Sequence, residues 1–79
     1  MLKLIKDIQG GITMTYNYDK LWKLLIDKKL KRKNLIEKAN IAASTIAKMG
    51  KGQAVSLDVL GRICVVLECN IGDIVDVIY

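Results

Sequence analysis

The feature that most constrains this 79-residue chain is the spacing of its apolar residues after Asn17. They recur every three to four positions in short blocks, and polar or glycine-containing breaks close each block after two or three turns. That period buries one face of a helix, whereas a half-buried strand alternates. Helices this short are not stable alone, so each must bury its stripe against the others. Leu21, Leu24 and Leu25, with Trp22 beside them, mark a first helix over about 18–29, and Asn17 is placed to cap it. Leu35, Ile36 and Ala39 mark a second near 32–39, and Ile46 and Met49 a third near 43–49. Ser56 reads as the N-cap of a fourth over about 57–68, with Leu57, Leu60, Ile63, Cys64 and Leu67 on one stripe. Asp58 stands in its first turn, where a negative charge suits the helix dipole. The tail Ile71, Ile74, Val75, Val77 and Ile78 is open to strand on propensity alone. Asn70 and Asp73 form an N-terminal capping pattern and favour a fifth helix over about 71–78. The expected fold class is therefore all-α, a compact set of five short helices with connections of a few residues.

The first thirteen residues are organised differently. Leu2, Leu4, Ile5, Ile8 and Ile12 fit neither period, and Gly10-Gly11 breaks what precedes it. The expected division is an N-terminal arm, 1–15, whose order the pattern does not define, and a compact domain, 16–79. No apolar run approaches the roughly 20 residues that cross a bilayer. The start also lacks the uninterrupted apolar stretch and small-residue cleavage site of a signal peptide. A cytoplasmic protein with no membrane partner is expected.

Side-chain chemistry excludes most other classes. Histidine is absent and Cys64 and Cys69 form no CxxC pair, so thiols and imidazoles cannot assemble a metal site. The two cysteines read as small apolar residues in or near a core. No glycine-rich phosphate loop sits between a strand and a helix, no base accompanies either thiol, and the carboxylates are scattered. Neither an enzyme nor a bound cofactor or metal is expected. Charge is distributed unevenly. Residues 18–52 hold ten Lys and Arg against Asp19, Asp27 and Glu37, whereas 53–79 hold Arg62 against Asp58, Glu68, Asp73 and Asp76. One part of the molecule suits a polyanion and another does not.

The basic part contains the segment from Arg32 to Lys51, whose spacing is that of a helix-turn-helix. Such a motif needs a small residue where its helices cross, met by Ala39, and a residue tolerant of a left-handed backbone at the turn, met by Asn40. Ile41 supplies the apolar turn anchor and Ile46 the inward position on the second helix. The exposed N-terminal end of that helix must be small and polar to enter a major groove, and Ser44, Thr45 and Lys48 meet that demand. The run Lys28, Lys29, Lys31, Arg32 and Lys33 just before it suits phosphate contacts, which supply affinity without choosing sequence. Trp22 reads as core rather than interface.

From Leu21 to Ile78 the chain resembles the Cro/repressor-type, or lambda-repressor-like (XRE-like), helix-turn-helix family. The resemblance is carried by Leu21-Trp22-Lys23-Leu24-Leu25, by Ile41 to Met49, by a glycine-containing loop and by Ser56 to Ile74. It implies a compact five-helix, lambda-repressor-like DNA-binding domain and a transcriptional regulator. It implies base contacts from Ala43, Ser44 and Lys48, and phosphate contacts from Arg32, Lys33, Thr45, Lys51 and Gln53. The loop from Gly50 to Gln53 falls where backbone amides approach the second strand. The sequence departs from the pattern at Ala42 and Ala43, which replace polar residues at the start of the recognition helix, and at Gly50, which stands where an acidic residue is frequent. Alanine touches only a thymine methyl and serine discriminates poorly, so few side chains remain to read base edges. Double-stranded DNA is the expected partner. A homodimer is expected from the small size and from Ile74, Val77 and Ile78, which exceed what a small core needs. The alternative is a protein-interaction module, such as an antitoxin subunit or regulatory adaptor, with weak DNA specificity and a protein partner.

Overall fold

The computed structural model describes residues 14–79; the arm expected over 1–13 lies outside the described residues. The elements run in the order β1 (Thr15–Asn17), α1 (Asp19–Asp27), α2 (Arg32–Ala39), α3 (Ala43–Gly50), α4 (Leu57–Leu67), a single 3-10 turn (Ile71–Asp73) and β2 (Asp76–Ile78). Their core is one cluster: Tyr18, Leu21 and Leu25, then Leu35, Ala39 and Ile41, Ile46 and Met49, and finally Leu60, Ile63, Leu67 and Ile74. Each helix contributes residues three or four apart, as its apolar spacing requires.

Local chemistry sets the boundaries. The Asn17 side chain accepts the Asp19 N–H at 2.7 Å, one residue ahead of the position where a cap would normally sit. Asn34 reaches back to accept the Lys31 N–H at 2.8 Å and closes the start of α2. At its far end Asn40 adopts the left-handed conformation, φ 54°, that the turn demands. Ser56 caps α4 as expected, its hydroxyl accepting the Val59 N–H at 3.1 Å. Glu68, also left-handed, ends the helix while the Cys69 N–H donates to the Cys64 carbonyl. That bond holds residues 64 and 69 together, both half-buried.

The fifth helix does not form. Asn70 and Asp73 do make the expected cap, the Asn70 N–H donating to Asp73 Oδ2 at 2.9 Å, but it closes only one 3-10 turn. Ile74 then plugs into the core, fully buried, and the chain leaves extended. Asp76–Ile78 pairs antiparallel with Thr15–Asn17, in the register Thr15 to Ile78, Tyr16 to Val77 and Asn17 to Asp76. The β-branched tail follows its propensity because a partner strand is available at the other end of the domain. Lys20 fastens this return, its ammonium 3.0 Å from both the Gly72 carbonyl and Asp76. Among the described residues the architecture is thus four helices with a two-stranded sheet, not five helices, and β1 straddles the 15/16 boundary drawn from sequence. Leu57, placed on the inward stripe by its spacing, points outward and is exposed. Gly50, expected in the loop, is the last residue of α3.

Candidate nucleic-acid interface

Ile46 and Met49 are buried and anchor α3 against the core. That rotation leaves Ala43, Ser44, Ala47 and Lys48 exposed on the opposite side, with Thr45 half-buried at its edge. Ala42 occupies the N-cap with no side-chain bond; the Thr45 N–H donates to the Ala42 carbonyl at 3.0 Å, and no side chain caps the other first-turn N–H groups. An uncapped helix start of this kind favours anions. Between Lys38 and Leu57 there is no Asp or Glu, and Lys48 and Lys51 stand exposed beside the helix end.

Arg32, at the first position of α2, meets two neighbouring elements. Its guanidinium lies over the Trp22 ring, 3.8 Å from the centroid, joining α1 to α2. On its other side it meets the end of α3, because a Cβ added at Gly50 would stand 3.4 Å from Arg32 Nη1. At that distance a Cβ would make ordinary contact with the guanidinium, so Arg32 packs against the end of α3 without requiring glycine there. Trp22 is half-buried and does two things: it packs on the core and carries Arg32. Spacing revealed only the first, since a pairing between residues ten apart on different helices has no periodic signature. Lys33 is exposed next to Arg32.

The loop after α3 is pinned rather than free. The amides of Lys51 and Gln53 both donate to the Lys48 carbonyl, and that of Gly52 donates to Met49, each at 3.0 Å. Those three N–H groups are already spent inside the chain, so an anion beside the loop meets the side chains of Lys51 and Gln53 instead. Two residues of the N-terminal segment hold the loop from behind. The Tyr16 N–H donates to the Gly52 carbonyl at 3.1 Å, and the Tyr18 hydroxyl donates to the Gln53 carbonyl at 2.9 Å. Burial raises the pKa of Tyr18 above its ordinary value, with Tyr16 adding to the effect, which keeps that hydroxyl a donor. Gly52 has φ 72°, and a Cβ there would lie 2.9 Å from the Tyr16 carbonyl oxygen. Neither tyrosine was singled out by sequence pattern. Behind the turn, Arg62 of α4 donates to the Asn40 carbonyl at 3.0 Å and ties the motif to the scaffold.

Of the expected site residues, Ala43, Ser44 and Lys48 are exposed along α3 and Thr45 is half-buried; Arg32, Lys33, Lys51 and Gln53 are exposed, and Arg32 reaches the end of α3. Among the described residues no group of three or more His, Cys, Asp or Glu is placed to hold a metal ion. None of the described helices is long and apolar enough to cross a membrane.

Comparison with known proteins agrees with this geometry. The family model for the Cro/C1-type helix-turn-helix DNA-binding domain matches residues 20–78. The crystal structure of the transcriptional regulator VanUg is similar at a TM-score of 0.82 and 46% identity, over 86% of this chain and 91% of that one. No curated protein matches the sequence. With its fold, its turn geometry and most of its length accounted for in this way, the chain belongs to the Cro/C1-type helix-turn-helix DNA-binding family.

Proposed function

We propose that this protein is a sequence-specific transcriptional regulator, repressor or activator, acting in the cytoplasm. It works as a homodimer that inserts α3 into successive major grooves of double-stranded DNA. The observation that carries this reading is the exposed side of α3, bare of acidic groups and flanked by Arg32, Lys33 and Lys51. In this reading Ala43, Ser44 and Lys48 meet base edges, and Arg32, Lys33, Thr45, Lys51 and Gln53 meet phosphates. The uncapped start of α3 adds its N–H groups to the phosphate contacts. Three of the exposed positions on and before α3 are alanine (42, 43 and 47). Affinity therefore comes mostly from the backbone contacts, and discrimination from Ser44, Lys48 and thymine methyls.

Selection of bound sequences from a random duplex pool, followed by salt titration, tests the reading. A defined consensus and a steep fall in affinity with salt are expected, and Ser44→Ala with Lys48→Ala should blunt the preference among sites. Failure to bind any duplex at low salt overturns it. Binding that is indifferent to sequence, together with a tight protein partner, favours the interaction-module alternative, for which the alanine-rich reading face is the supporting observation.

A further inference from the structure

The end of α4 brings the two thiols of the chain together. Glu68 turns left-handed, φ 54°, and the Cys69 N–H donates to the Cys64 carbonyl at 3.0 Å. A hydrogen-bonded cap of this kind sets the side chain that follows the left-handed residue against one from the last turn of the helix. Elsewhere that contact is commonly a pair of apolar groups; here it is Cys64 against Cys69. Both are free and half-buried. Both also line one open surface depression, together with Val65, Glu68, Asn70 and Asp73. A disulfide spans Cα atoms about 4.4–6.8 Å apart, a spacing that a direct backbone hydrogen bond also keeps.

We infer that Cys64 and Cys69 form a redox site, a dithiol that closes to a disulfide by exchange with a small neutral or cationic disulfide and thereby locks the end of α4. In the first step the Cys64 thiolate attacks one sulfur of the small disulfide, whose S–S bond breaks and releases one small thiol. In the second the Cys69 thiolate attacks the Cys64 sulfur of the mixed disulfide and expels the other small thiol. Two protein S–H bonds are lost and one S–S bond is formed. The protein sulfurs are oxidised, the small disulfide is reduced, and both protons leave with the released thiols. Burial first, then the neighbouring Cys64, push the Cys69 thiol up to about 11. Cys69 therefore suits the second attack, which is intramolecular, so that a neighbouring sulfur offsets a scarce thiolate. The depression that both thiols line carries Glu68 and Asp73 and no cation, which disfavours an anionic disulfide. The cross-link joins the same two residues as the Cys69–Cys64 backbone bond, so that bond opens less often once the disulfide has formed. In a reducing compartment the pair rests as thiols and closes only under oxidation.

Nothing in this chemistry depends on DNA binding. The reduced whole protein is incubated with cystamine, a cationic disulfide, then quenched in acid, alkylated and weighed intact. The wild type should lose two hydrogens in mass and leave neither cysteine open to alkylation. Cys64→Ala and Cys69→Ala should each stop at one cysteamine adduct, with Cys64→Ala reaching it more slowly, and melting curves confirm that both are folded. In the closed form the Cys69 amide should exchange severalfold more slowly than in the reduced protein, and dithiothreitol should restore the original rate. A wild type that stops at cysteamine adducts, links two chains or stays reduced in excess cystamine overturns the site. Faster adduct formation in Cys64→Ala than in Cys69→Ala overturns the order of attack, and unchanged exchange at Cys69 overturns the lock.

Discussion

The stacking of Arg32 on Trp22 sets a magnitude for the phosphate contact proposed at Arg32. A guanidinium fixed over a ring loses less freedom on meeting an anion than one on a mobile stem. At 3.8 Å from the centroid and partly exposed, the contact lies in the range of about 0.5–1 kcal/mol. If all of that energy serves DNA binding, Trp22→Leu weakens affinity by about two- to fivefold, since each 1.4 kcal/mol is about tenfold. The number of phosphates neutralised does not change, so the slope of log affinity against log salt stays as it was. Arg32→Ala removes the proposed phosphate contact itself and should lower that slope by about 0.9. In Arg32→Ala, adding Trp22→Leu should cost nothing further, because the ring then has nothing to hold. Fluorescence anisotropy with a labelled duplex at several salt concentrations measures all four proteins. Circular dichroism melts confirm that Trp22→Leu, which also loses core contacts, is folded at the assay temperature. Full additivity of the two substitutions would refute the reasoning and return Trp22 to a packing role alone.

Three further outcomes follow from the backbone and the caps. Gly52→Ala forces a left-handed non-glycine residue at about 1–2 kcal/mol and drives its Cβ toward the Tyr16 carbonyl. Gly61→Ala meets nothing and should stabilise the fold by about 0.5–1 kcal/mol; urea denaturation of the pair reads the opposite signs. Ser56→Ala removes the bond to the Val59 N–H and should cost about 1 kcal/mol by the same measurement, with Ser56→Gly costing only a few tenths. Burial first, then the neighbouring Cys64 and Asp73, push the Cys69 thiol up to about 11, against a partial opposing pull from Lys28. The folded state therefore holds this proton more tightly than the unfolded chain. Its contribution is fully present below pH ~9 and is lost as pH rises toward ~11. Cys69→Ala should flatten that stretch of the stability curve, and an unchanged slope counts against the assignment.

The helix-turn-helix was legible because its demands are local. A small residue at the crossing, Asn40 at the turn and an apolar position at Ile46 are each fixed by neighbours within a few residues, and the structure places all three as the spacing requires. The C-terminal element was not legible for the converse reason. Asn70 and Asp73 carry a true helix-start signal, and they do close a turn. Whether that turn continues depends on β1, some sixty residues away in sequence, whose unpaired edge competes for the same backbone groups. Leu57 misled in a related way. At the first position of α4 its spacing fits the buried stripe, but no element of the described chain reaches over the helix start to cover it. The Trp22–Arg32 pair and the two tyrosines behind the loop depend on tertiary approach and leave no trace in a one-dimensional pattern.

The strand that replaces the fifth helix changes how the candidate interface is supported. Had the chain ended in a helix, the loop after α3 would rest on helix packing alone. Instead β2 fixes β1 by pairing, and β1 carries Tyr16, whose amide holds Gly52, and leads directly into Tyr18, whose hydroxyl holds Gln53. The two ends of the domain thus clamp the loop from behind, and the α3 end it adjoins packs against Arg32. Loosening β2 should therefore reach the proposed DNA-facing side without touching a proposed contact residue. Ile78→Pro removes an N–H from the pair that Thr15 and Ile78 make in the β1–β2 ladder, and opening that ladder should slacken the hold on Gly52 and Gln53. Amide exchange would show it, with faster exchange at Lys51, Gly52 and Gln53 while the α4 amides keep their protection. If those loop amides stay protected once the strand pair has opened, the internal bonds to Lys48 and Met49 suffice, and the clamp has no part in shaping the interface.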